Sequence, residues 1–138
     1  MFIYERAVAF HEVDAAGLVF FPHFLTYAHE AMDRFFAPLD GGYLALVTAR
    51  RVGLPAVHVE CDFVSPLAYG DVVRIETSVR RVGNRSLELR YRFVRARDGE
   101  RAAELLHTVV TTDLDRLESC PMPEDVRRVA LAHLEPQP

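Results

Sequence analysis

His11-Glu12-Val13-Asp14-Ala15-Ala16-Gly17-Leu18-Val19-Phe20-Phe21-Pro22-His23-Phe24 is the stretch on which the reading of this chain turns. Asp14 reads as a lone carboxylate in an apolar neighbourhood, followed at once by Ala15, Ala16 and Gly17. Pro22 suits the first turn of a helix, where its missing N–H has no helical partner in any case. Beyond it, Phe24, Ala28, Ala31, Phe35 and Leu39 recur at helical spacing. The chain is therefore expected to turn tightly beside a carboxylate and then to enter a long helix, Pro22 to Leu39. Free N–H groups at a helix start favour developing negative charge. A carboxylate beside such an end is what acyl transfer needs: one group to attack or to activate water, and donors for the oxyanion.

Working outward, Phe2 to Val13 is β-prone and reads as a first strand. The helix carries an apolar arc of Phe24, Leu25, Ala28, Ala31, Met32, Phe35, Phe36 and Leu39. The opposite arc holds Thr26, Glu30, Asp33 and Arg34, with Glu30 and Arg34 spaced as an i,i+4 pair. So wide an apolar arc must lie on something, and the chain offers only strands. Tyr43 to Arg51 reads as a short second helix. Ala56 to Val64, Val72 to Val82 and Leu87 to Phe93 alternate apolar with polar residues, punctuated by Pro66, Gly83-Asn84 and Asp98-Gly99. Ala102 to Leu114 is apolar on both faces, as a central strand is. Cys120-Pro121-Met122-Pro123 breaks the chain before a C-terminal helix, Glu124 to Leu134. The pattern is α+β: a five-stranded, mostly antiparallel sheet around one long helix, in a single domain spanning residues 1–138.

At 138 residues, half of them apolar, the chain is long enough to bury a real core and is not disordered. A net charge of −4 gives no electrostatic case for nucleic acid or an anionic membrane as partner. No apolar run approaches the roughly 18 residues of a spanning helix, and Glu5 and Arg6 interrupt the only signal-like start. With two cysteines, Cys61 and Cys120, a reduced, cytoplasmic protein is expected.

Asp14-Ala15-Ala16-Gly17-Leu18-Val19-Phe20-Phe21-Pro22 resembles the Asp-x-Ala-Gly-x-Val-(Phe/Tyr) signature of hotdog-fold acyl-CoA thioesterases of the 4-hydroxybenzoyl-CoA thioesterase type. Gly53-Leu54-Pro55-Ala56-Val57-His58 through Asp62-Phe63, then Tyr69-Gly70-Asp71, resembles the second strand and following turn of that family. With Tyr27-Ala28-His29-Glu30-Ala31 added, the pattern is closest to its dihydroxynaphthoyl-CoA hydrolases. The resemblance spans residues 4 to 112. It implies a hotdog fold, in which the sheet wraps the central helix, and a homodimer or homotetramer with active sites completed at a subunit interface. It implies acyl-CoA hydrolysis with no resident cofactor, coenzyme A being part of the substrate. Asp14 is then the nucleophile or the general base, and the amide near Phe21 and Pro22 polarises the thioester carbonyl. Gly17 lets backbone and thioester approach, and Gly53 lies near the acyl end. The basic cluster Arg80, Arg81, Arg85, Ser86 and Arg90 takes the phosphates of coenzyme A, for which planar guanidinium groups are suited.

Bland roles stand beside these. Asp14 also suits a turn or a cap, Gly17 and Gly53 suit loops, and the arginines suit a solvated hairpin. His11 is placed either to tune Asp14 or to face water. Six histidines raise the question of metal, but there is no HExxH or CxxC spacing, so none is expected. For the acyl pocket the candidates are Phe20, Phe24, Leu25 and Met32, with His29, and secondarily His58, as a polar tip selecting a hydroxylated aryl group over a medium-chain fatty acyl group. A hydratase would want a histidine shortly after Asp14, where Ala-Ala-Gly-Leu-Val stands. A non-catalytic binding module would not need to bury a carboxylate, which is costly.

Overall fold

A computed structural model describes all residues, 1–138. In chain order it holds β1 (Phe2–Ala7), a 3-10 turn (Phe10–Glu12), α1 (His23–Phe35), α2 (Gly42–Thr48), β2 (Val52–Gly53), β3 (Ala56–Phe63), β4 (Val72–Val82), β5 (Ser86–Arg95), β6 (Arg101–Val110), β7 (Thr112–Asp113), β8 (Glu118–Ser119) and α3 (Glu124–Leu131). Five strands form one antiparallel sheet in the order β1-β4-β5-β6-β3. Alternation sends Val73, Ile75 and Val79 of β4, Leu87, Leu89, Tyr91 and Phe93 of β5, and Ala103, Leu105 and Val109 of β6 to one buried face. Phe24, Ala28, Ala31, Met32 and Phe35 of α1 join them in one core. This is the hotdog arrangement.

Four element ends and one ion pair differ from expectation. The long helix runs His23–Phe35 rather than Pro22 to Leu39, with residues 36–39 continuing as turns. The first strand stops at Ala7 rather than Val13, because the Val8 N–H turns to the Asp71 carbonyl and residues 10–12 wind into the 3-10 turn. The last long strand divides at Thr111, whose N–H and hydroxyl both reach the Arg85 carbonyl, so that β7 pairs with β2 and β8 in a second, small sheet. The C-terminal helix ends at Leu131, and the tail instead lines up beside β4, with hydrogen bonds Val79 N–H to His133 O and Glu135 N–H to Val79 O. Glu30 does not pair with Arg34. It is held by Arg6 at 2.7 Å, while Arg34 lies over the Tyr4 ring.

β3 is an edge strand. Its partner β6 covers one side only, and Val57, Val59 and Phe63 remain 61%, 42% and 54% exposed. No helix is long and apolar enough to cross a membrane.

Candidate active site

Residues 13–19 form a small hairpin: Val13 and Val19 bridge, and the Asp14 N–H donates to the Leu18 carbonyl at 2.8 Å. Asp14 caps this loop from within. Its Oδ1 accepts the N–H of Ala16 at 2.9 Å and of Leu18 at 3.3 Å, while Oδ2 accepts nothing from the protein. Gly17 takes φ +79°, a conformation that glycine adopts without cost. Its N–H donates to Asp14 O and its carbonyl accepts the Tyr69 N–H. Its role is the turn itself. Val19 is tied to Leu67 at 2.8 Å, so the loop is fixed to the segment before β4.

The loop opens onto a cleft of about 490 Å³ lined by Asp14, Phe20, Phe21, Phe24, Phe63 and Leu67 among others. The aromatic rings interlock: Phe24 meets Phe63 edge to face at 5.2 Å, and Phe21 meets Phe63 at 6.3 Å. Pro22 caps α1 from outside rather than occupying its first turn. The His23 and Phe24 N–H groups turn back to the carbonyls of Phe20 and Phe21, while the Phe21 N–H has no partner. The cleft is therefore lined by a residue with an unengaged carboxylate oxygen and by one with a free amide donor.

The stretch contains two carboxylates, and the buried one is not Asp14. Asp14 is exposed, so the argument against a binding module from the cost of burying it does not stand. Glu12 is 3% exposed. Both of its oxygens accept from Arg6 Nη2, at 2.6 and 2.7 Å, and Oε1 also accepts the Ala9 N–H at 2.7 Å and the Tyr27 hydroxyl at 3.0 Å. Burial would raise its pKa, but the Ala9 amide, the Tyr27 hydroxyl and the Arg6 charge together hold it below the ordinary carboxylate range. The same burial, with Glu12 as acceptor, pushes the Tyr27 hydroxyl well up.

The other expected residues divide. Phe20 and Phe24 line the Asp14 cleft, but Leu25 and His29 line a second cavity of about 240 Å³, with Ala28, Ala56, Val59, Leu105 and His107. Met32 is fully packed in the core and lines neither cavity, because it lies on the arc of α1 that faces the sheet interior. His58 is corrected too: strand alternation turns it to the outer face, where it pairs with Glu60 at 2.7 Å. His11 is exposed. Gly53 is buried because the Leu114 side chain crosses it, and a Cβ there would come within 2.7 Å of that side chain. It stands at the end of β3 opposite Phe63. Arg80 is paired with Glu88 and Arg90 with Glu104 and Glu135, all at 2.7–2.9 Å. Arg85 donates to Ser119, Ser86 opens β5, and Arg81 is exposed. Arg80, Arg81, Arg85 and Ser86 lie toward the Gly83 turn, and Arg90 stands midway along β5. Val72, at the Asp14 end of β4, is roughly 33 Å along the strand from Val82. Within one chain the basic cluster does not reach the cleft.

The sequence profile described as the thioesterase-like superfamily matches residues 8–129. The chain belongs to the thioesterase-like superfamily. A 1,4-dihydroxy-2-naphthoyl-CoA hydrolase of Prochlorococcus marinus is 31% identical over 131 residues, 90% of this chain and 83% of the relative. The structure of a gentisyl-coenzyme A thioesterase superposes with a TM-score of 0.81 at 30% identity, covering 94% of this chain and 98% of that one. A thioesterase-superfamily structure from Jannaschia sp. CCS1 gives a TM-score of 0.89 at 28% identity, with 98% and 94% covered.

In this thioesterase-like chain, Phe63 and His107, which line the two cavities, and Glu12 and Tyr27, which pack beneath the Asp14 loop, are residues that sequence reasoning did not single out. Phe63 was visible as the apolar end of an alternating strand. Glu12 carried one faint signal, an acid at the parity of Val8 and Phe10 in a β-prone run. His107 is half-buried beside Tyr91, whose hydroxyl lies 3.3 Å from its Nδ1, and burial together with the nearby His29 lowers its pKa. No group of three or more His, Cys, Asp or Glu side chains is gathered as a metal site would need.

Proposed function

We propose that the chain hydrolyses the thioester of a hydroxylated aryl-CoA, with Asp14 and the Phe21 N–H as the acting groups. One observation carries this: the unengaged Oδ2 of Asp14 and the unpartnered Phe21 amide belong to residues lining the same apolar cleft. The thioester carbonyl oxygen accepts the Phe21 N–H, which strengthens as negative charge develops. Asp14 then acts in one of two ways. It attacks the carbonyl carbon, expelling the coenzyme A thiolate and leaving a mixed anhydride that water hydrolyses, or it takes the proton of a water that attacks directly. Either route yields the free acid and the thiol.

The aromatic walls and a cleft of about 490 Å³ suit a flat aryl group. His29 lies about 12 Å along the helix from Phe21 at the usual rise, with His107 also lining the second cavity. Two imidazoles at the distal end of the α1–β3 groove favour a substrate bearing a hydroxyl there: His29 is exposed and His107 half-buried in the free chain, a seated acyl group would cover both, and one without the hydroxyl would leave them unpaired. The relatives named for dihydroxynaphthoyl and gentisyl thioesters support the same class.

The proposal includes a second copy. β3 presents an unpaired backbone edge and exposed Val57, Val59 and Phe63. Antiparallel pairing of two such edges across a twofold axis would set the Ala56 end of one copy against the Phe63 end of the other. Gly53 and the Arg81–Arg85 turn, remote from Asp14 within a chain, would then lie on the same side as the other copy's cleft.

The deciding experiment follows thiol release from benzoyl-, hydroxybenzoyl-, dihydroxynaphthoyl- and octanoyl-CoA, for wild type and His29→Leu. The hydroxylated aryl thioesters are expected to have the highest kcat/KM, and His29→Leu to lower it for them selectively. A preference for octanoyl-CoA, or an unchanged ranking in His29→Leu, refutes the hydroxyaryl assignment.

A further inference from the structure

Glu12 lines neither cavity, yet it makes more hydrogen bonds than Asp14. Its carboxylate joins three parts of the chain: β1 through Arg6, the start of the 3-10 turn through the Ala9 N–H, and α1 through the Tyr27 hydroxyl. Arg6 extends the connection, gripping Glu30 of α1 with its other nitrogen at 2.7 and 2.9 Å and stacking its guanidinium over the Tyr27 ring at 4.3 Å. The backbone of Glu12 does a second thing. Its carbonyl accepts the Phe20 N–H at 2.9 Å. That bond closes the loop carrying Asp14 one residue before the free amide of Phe21. Both groups that act on the thioester thus hang from Glu12: Asp14 two residues downstream along the chain, and Phe21 one residue beyond the amide that Glu12 holds.

We propose that Glu12, oriented by Arg6 and Tyr27, is the positioning residue that fixes the Asp14 carboxylate relative to the Phe21 N–H. This rests on the thioesterase reading above. A buried ion pair alone is weak ground for claiming stability, since well-packed apolar residues often do as well. What apolar residues cannot supply is a fixed direction. Here the carboxylate is held from three sides and its own carbonyl sets the register of the loop. Small displacements of reacting groups are costly: about 1 Å of misplacement lowers rates about 10²-fold.

The test measures kcat and KM of Glu12→Gln and Tyr27→Phe, alone and combined with Asp14→Asn, on the acyl-CoA that the wild type hydrolyses fastest. Hydrogen exchange at the Val19 and Phe20 amides is followed without substrate. The expected result is a kcat about 10²-fold lower in Glu12→Gln and about fivefold lower in Tyr27→Phe, the loss of one hydrogen bond. KM stays the same, exchange quickens, and adding Glu12→Gln to Asp14→Asn costs nothing further. A residue acting through Asp14 has no effect once that carboxylate is gone, whereas general loosening would lower both backgrounds alike. Independent losses in the double variant, a changed KM with unchanged kcat, or unchanged exchange overturns the proposal. Should Glu12→Gln fail to fold, Tyr27→Phe, which keeps the buried ring, carries the same readouts. If wild type releases thiol from no acyl-CoA, the thioesterase reading fails by itself. Exchange then still decides whether Glu12 holds the loop.

Discussion

Replacing Asp14 by asparagine separates what this residue does for the loop from what it does for the reaction. Its two structural hydrogen bonds both end on Oδ1, from the Ala16 and Leu18 amides. An asparagine carbonyl oxygen at that position accepts the same two bonds, and the residue is exposed, so no buried group is stranded. The stability change should therefore stay within about 0.5 kcal/mol, as for ordinary surface substitutions. Oδ2 becomes an uncharged NH₂ that can neither attack a thioester nor accept a proton. Loss of a nucleophile or general base costs about 10²- to 10⁴-fold in kcat. Asp14→Ala differs in a defined way: it also removes both caps, each worth about 1 kcal/mol, and should lower Tm by several degrees. The assay pairs thiol release from a hydroxyaryl-CoA with thermal unfolding of the same samples. Asp14→Asn is expected to lose turnover while keeping Tm, and Asp14→Ala to lose both. Near-wild-type turnover in Asp14→Asn, or equal losses of Tm in the two variants, would refute this.

The β3 edge should make the protein a dimer or dimer of dimers by light scattering, and Val59→Lys on the exposed edge should lower the mass and abolish activity; a fully active monomer would contradict the proposed pairing. If the hairpin arginines serve a neighbouring copy's substrate, Arg85→Ala should raise KM for the CoA ester and not for a short pantetheine thioester, and mixing it with Asp14→Asn should restore part of the activity; equal KM effects on both substrates would remove Arg85 from the site. Acid stability follows from the burial-lowered pKa of His107 and His133, and from the pKa values of Glu12 and Asp71, which hydrogen bonds and arginines hold down against burial. Each group has a folded pKa below its unfolded value, so each contribution is present above the unfolded pKa and fades as pH falls. Tm should begin to drop below about pH 6.5 from the histidines and more steeply below about pH 4.5 from the carboxylates; Glu12→Gln should flatten only the lower step, and an unchanged lower step would show that Glu12 is not held as described.

Periodicity within one element was legible and proximity between elements was not. The arc of α1 read from spacing is buried except for Leu25, and Tyr27, left off that arc, is buried as well, because a helix's own geometry decides which residues share a face but not how far the neighbours wrap around it. The glycine after Asp14 was legible for the same local reason, since a loop closing over four residues needs a positive φ. Glu30 shows where local reasoning ends. Its spacing pointed to Arg34, yet Arg6 lies on a strand crossing the helix and offers a two-pronged guanidinium, which outweighs a solvated i,i+4 pair. Glu12 and Asp14 show it again: two residues apart, one is buried among Arg6, Ala9 and Tyr27 and the other lines the cleft, and only the crossing of β1 over α1 decides which. β3 raises a different point. Its alternation correctly turned Val59 and Phe63 toward the helix and His58 away, yet sheet order leaves the strand at the edge and those apolar side chains open to water. An unpaired edge carrying apolar residues at a buried parity is a template for pairing with another chain, and it is on this feature that the proposed dimer and the Val59→Lys test rest.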